Sequence, residues 1–138
     1  MNIPIMLALL ALITGGTLGF LYKVAGVNQA YTPSYMIVET VAFGVVALAI
    51  HVVQRHPFDL SYKMIGLGTL GGILAAVTVF SIMLAFRMGG QGSTIFPITG
   101  LGVLVSVILA LIVYHEPLTP TKLLGLGLGV SSIIVLSR

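Results

Sequence analysis

From Thr94 to Tyr114 the chain carries no charged side chain. Wound as a helix, these 21 residues rise about 31 Å at ~1.5 Å each, the thickness of one bilayer core. A second charge-free run, Leu123 to Ser137, follows a short polar interval, and Lys122 is placed to extend its ammonium toward the interface. Thr119 reads as a helix cap with Pro120 at the first helical position, where a missing N–H costs nothing. So short an interval makes the two runs antiparallel neighbours, a helical hairpin in a membrane.

The rest of the chain obeys the same constraint. Hydrophobic residues make up 58% of it and charged residues 7%, too few to cover a water-facing globule. With lipid as solvent the backbone must satisfy its own hydrogen bonds, which leaves helices or a closed barrel. Long apolar runs without two-residue alternation decide for helices. The chain has no cysteine, and its three histidines are scattered, so neither disulfides, a thiolate metal site nor a histidine metal site is expected. Six basic residues against three acids form no cluster, which argues for lipid contact and against nucleic acid. The first 22 residues lack Lys and Arg, so the first helix reads as retained and not as a cleaved secretory signal.

Punctuation by proline, glycine and charge predicts an all-α membrane protein of five transmembrane helices, roughly 4–22, 33–54, 62–88, 93–114 and 120–137. The breaks fall near 23–33, 55–61, 88–93 and 115–119, in one domain without a linker. Gly15 and Gly19, Gly68 and Gly72, and Gly125 and Gly129 each form a Gly-x-x-x-Gly stripe, read as helix packing surfaces. Gly66-Leu-Gly68-Thr-Leu-Gly71 matches a dinucleotide-binding fingerprint letter for letter. It lacks the preceding strand that the motif needs and is set aside. Thr32-Pro33 reads as the cap and first turn of the second helix. His51 and Arg55 share a helix face and read as interfacial anchors.

Glu39 is the most informative residue. Six positions beyond Pro33, it lies ~9 Å into its helix, where a carboxylate is costly and faces protein or water instead of lipid. Three readings stand open: a structural pair with Lys23, a proton- or cation-coupling group, or an uninvolved snorkelling side chain. Ser81 either bonds its own backbone or faces a cavity. Pro97, flanked by Thr94 and Thr99 and followed by Gly100 and Gly102, either kinks its helix or exposes carbonyls to a cavity.

Gly92-Ser93-Thr94 with Pro97-Ile98, then Glu116, Leu118-Thr119, and the closing run from Leu124-Gly125 to Leu136-Ser137 resemble the end of an EamA-type domain of the drug/metabolite transporter superfamily. The resemblance covers nearly the whole chain as one five-helix repeat. Relatives often carry a Trp-Gly pair near the first helix, where this chain has Gly15-Gly16 and no tryptophan, and an Arg in the region where it has Glu39. The resemblance places a solute pathway beside the fourth helix, which favours the cavity-wall reading of Thr94, Pro97 and Thr99; on the transporter reading Glu39, Lys23 and Ser81 are further candidate pathway residues. Larger relatives join two inverted repeats, with the site at their interface, so a single repeat implies a partner.

Three functions compete. The resemblance implies a secondary transporter of a small metabolite or drug-like solute, a homodimer (antiparallel included) or a pair with a paralogue, in a bacterial or archaeal inner membrane. The second is a non-transporting membrane subunit packed against a larger partner. An intramembrane enzyme is disfavoured, because no Ser-His or paired-Asp arrangement falls on facing helices and no cofactor motif survives. Lysine and arginine divide three to three between the two faces, Arg55, Lys63 and Lys122 against Lys23, Arg87 and Arg138, so the positive-inside rule barely fixes an orientation.

Overall fold

The computed structural model describes residues 2–115 and 119–136, apart from the side chains of Thr121, Lys122, Ile133 and Leu136. Glu116 and Leu118 of the sequence resemblance, and Arg138 of the charge tally, lie outside the described residues. The protein is all-helical: α1 Ile3–Val27, α2 Thr32–Gln54, α3 Tyr62–Arg87, α4 Gly92–Gly100, α5 Gly102–Tyr114 and α6 Pro120–Leu136. Three of these helices, together with the stretch Gly92–Tyr114, are long and apolar enough to cross a membrane, and α6 adds a shorter apolar segment. Apolar side chains face outward along every helix, Val38 at 69% exposure and Val53 at 80% among them. A surface of that kind is at home in lipid and not in water.

The chain separates into two compact units, Met1–Gly89 and Gly90–Arg138. In the first, α3 packs along both α1 and α2. Its core is small: Tyr22, Val79, Met83 and Phe86 are buried, with Tyr35, Met36 and Ile82 packed against part of that cluster. Gly26 sets the register. A Cβ there would lie 2.7 Å from Cβ of Phe86 and 2.9 Å from the carbonyl oxygen of Met83, so hydrogen alone lets the α1 backbone reach α3.

The first connection is much shorter than expected. Helix α1 continues through Lys23 to Val27, because the apolar Val24, Ala25 and Val27 extend it and Gly26 serves a contact instead of a break. It ends in a Schellman motif, with Ala30 N–H donating to the Ala25 carbonyl, Gln29 N–H to that of Gly26, and Gln29 left-handed at φ 58°. Gln29 then holds α3, its Nε2 donating to the Arg87 carbonyl at 3.3 Å and its Oε1 accepting from Arg87 Nε at 3.4 Å.

Thr32 is not the cap of α2. The Tyr31 carbonyl already accepts from Tyr35 N–H at 3.2 Å, which makes Tyr31 the cap and puts Thr32 inside the first turn. The Thr32 hydroxyl is buried, and among the described residues its oxygen has no hydrogen-bond partner. At the start of α3, Ser61 caps the helix by accepting from Met64 N–H at 3.4 Å, and Asp59 accepts from Ser61 N–H at 2.9 Å. The fingerprint-like glycines lie inside α3.

In the second unit α4 packs against α6, and α5 follows α4. The continuous fourth helix expected over 93–114 is interrupted at Leu101, where Leu101 N–H donates to the Ile98 carbonyl and Leu104 N–H to that of Leu101, each three residues back. The interruption lies beyond Pro97, between Gly100 and Gly102, whose low helix propensity gives the backbone no reason to hold the wider turn. Pro120 opens α6 as expected, with Leu123 N–H donating to the Thr119 carbonyl.

Candidate functional site: a carboxylate in an apolar cavity

A cavity of about 600 Å³ opens among α1, α2 and α3. Leu18 and Tyr22 come from α1, Met36, Glu39, Thr40 and Phe43 from α2, and Gly68, Gly71, Gly72, Ala75, Ala76 and Val79 from α3. The Gly26 contact explains why it exists. The helices are pinched together at Gly26 and Phe86, and further along α3 the small residues leave the space unfilled, with nothing within 4 Å of a Cβ built on Gly68, Gly71 or Gly72. These glycines line a cavity; within this chain Gly68 and Gly72 are not the packing stripe that their spacing suggests.

The polar groups sit at the pinched end. Tyr22 belongs to the buried cluster with Val79 and Met83, and its hydroxyl donates to Glu39 Oε1 at 2.6 Å. Tyr35 meets the Tyr22 ring edge-on, with centroids 5.9 Å apart at 76°. Thr40 hydroxyl returns to the Met36 carbonyl at 2.8 Å, which occupies its proton. From Val79 to Gly68 the α3 wall extends eleven residues, ~16 Å. The site is therefore a long apolar pocket with one carboxylate at its narrow end. Beside it, an apolar groove of about 650 Å³ between α2 and α3 shares Met36, Thr40 and Ala76 with the cavity as a common wall.

Of the pathway residues expected from sequence, Glu39 is the one that lines this cavity among the described residues. Lys23 is half-buried and follows Tyr22 in α1, ~100° around the helix. The carboxylate is held by the tyrosine, and among the described residues no ion pair joins Lys23 to Glu39. The Ser81 hydroxyl donates to the Val77 carbonyl at 2.7 Å, and Ser81 is not among the described residues lining this cavity. Thr94, Pro97 and Thr99 belong to the second unit. There Thr94 N–H donates to the Gln91 carbonyl in the opening turn of α4, and Thr99 hydroxyl returns to the Phe96 carbonyl at 3.1 Å. A shallow pocket of that unit is formed by α6 residues from Pro120 to Ser131.

Tyr22 and Phe43 were missed from sequence. A usable signal existed: Leu18, Tyr22 and Gly26 are spaced by four, one face of α1. Glu39 and Phe43 share the same spacing on α2. His51 packs edge-on against Phe58, with centroids 5.2 Å apart, away from the cavity. Among the described residues no group of three His, Cys, Asp or Glu side chains is placed to hold a metal ion.

The EamA-like transporter family model matches residues 2–138. No curated protein and no solved structure matches the chain.

Proposed function

As the chain belongs to the EamA-like transporter family, a family of membrane transporters and not of enzymes, we propose that it is a secondary transporter moving a small metabolite or drug-like solute through a pathway that includes the Glu39 cavity. The observation that carries this reading is the Tyr22–Glu39 pair in an otherwise apolar cavity. A carboxylate inside a membrane helix costs up to ~3 kcal/mol on insertion scales, so its retention asks for a use. Binding solute and proton or sodium at one carboxylate is the simplest way for a single acid to couple them.

The proposed working unit is two copies of the chain, antiparallel, or this chain with a paralogue, in a bacterial or archaeal inner membrane. One repeat supplies half of the pathway that inverted-repeat transporters build. Open space around Gly125, Gly127 and Gly129 of α6 would let another helix approach closely.

The test is proteoliposome uptake of a mixed panel of labelled amino acids, amines, nucleosides and organic acids, driven by an imposed proton or sodium gradient. At least one solute is expected to accumulate. A folded protein that accumulates none, under either gradient, would instead fit the non-transporting subunit.

A further inference from the structure

We propose that the Glu39 cavity selects an amphiphilic organic cation, its positive head against Glu39 and its apolar body lying over Gly68, Gly71 and Gly72; this rests on reading that cavity as the solute site. Charge complementarity is the first ground. Among the described residues no cationic side chain lines the cavity, and none pairs with Glu39. The Tyr22 hydroxyl shares the negative charge without neutralising it. In a surrounding of Leu18, Met36, Phe43 and Val79, the uncompensated carboxylate is stabilised by a proton or by a bound cation.

The second ground is the shortage of other polar groups. Thr40 has committed its proton to the Met36 carbonyl, and Tyr22 has committed its own to Glu39. A sugar or nucleoside would bring many hydroxyls and find few partners, each unmade hydrogen bond counting against it. A zwitterion would place its own carboxylate near Glu39 with no cation on the walls to receive it. An apolar body with a single positive head leaves nothing unpaired.

Shape is the third ground. The head end carries aromatic walls, Tyr22 bonded to Glu39 and Phe43 one helical turn from it, and aromatic faces attract cations. The other end is floored by three glycines with open space where side chains would stand. The volume of about 600 Å³ suits a small organic molecule.

The experiment reads binding directly. The full chain is placed in nanodiscs with its six methionines labelled at the ¹³C methyl, and Met36, which lines the cavity, is followed by NMR. Met83, fully buried in the core, reports folding. The probes are benzyltrimethylammonium, its uncharged carbon isostere neopentylbenzene, and the zwitterion phenylalanine. Benzyltrimethylammonium is expected to shift Met36 saturably, while the other two do not. Glu39→Gln should weaken that binding roughly tenfold or more, the scale of a desolvated ion pair. Gly72→Leu, which fills the floor, should abolish it with the Met83 signal unchanged. Equal binding of phenylalanine or of neopentylbenzene, binding indifferent to Glu39→Gln, or no saturable shift at all would overturn the proposal. Any of these results leaves the transport reading standing if the solute panel shows gradient-driven uptake; absent uptake with cation binding intact would defeat transport alone.

Discussion

At the scale of single residues, two features organise the first unit: the missing Cβ of Gly26 and the carboxylate of Glu39. Gly26→Ala must separate α1 from α3, because its Cβ would meet backbone and Cβ atoms at 2.9 and 2.7 Å. A loss of about 1–3 kcal/mol, the usual cost of overpacking, is expected in reversible unfolding from bicelles. Gly15→Ala, with nothing within 4 Å, should be neutral or gain up to ~1 kcal/mol from helix propensity. Equal effects of the two would remove Gly26 from its role. Tyr22→Phe should cost about 1 kcal/mol in the same measurement, since hydrogen bonds between membrane helices are individually modest. It should leave Glu39→Gln with little further effect on stability, because the two groups share one bond. Additive losses in the double variant would show that the bond contributes little.

At the scale of helices, the apolar runs made the type of the elements legible, because length and polarity are local properties. Glu39 was legible for the same reason, as a costly charge at a countable depth. What sequence could not give was the partner of each group. Lys23 is the natural ion-pair candidate by charge, yet the direction in which α1 presents Tyr22 is decided by the Gly26 contact, a tertiary fact. The α4–α5 interruption was not expected. Proline drew attention to position 97, whereas the helix yields at Leu101, between Gly100 and Gly102. Amides 101–104 are therefore expected to exchange with solvent faster than those at mid-α3, and the Gly100→Ala/Gly102→Ala variant should protect them. Unchanged exchange in that variant would show that Pro97 alone sets the break.

At the scale of the whole molecule, the three-to-three division of lysine and arginine expected from the sequence would give weak grounds for a single orientation, in keeping with the proposed antiparallel pair. A C-terminal orientation reporter is expected to read both sides of the membrane, and one added Lys on either face should tip it. A wild type that reports one side, resists tipping and has no paralogue to pair with would count against the antiparallel dimer. The central claim is narrower: Glu39 is the working group of a transport pathway. The most direct measurement is gradient-driven uptake in proteoliposomes of the best solute from the panel, comparing the wild type, Glu39→Asp and Glu39→Gln at matched protein content. The expected result is strong accumulation by the wild type, reduced but still gradient-dependent accumulation by Glu39→Asp, and no gradient dependence in a folded Glu39→Gln. Undiminished gradient-driven accumulation by Glu39→Gln would contradict the account.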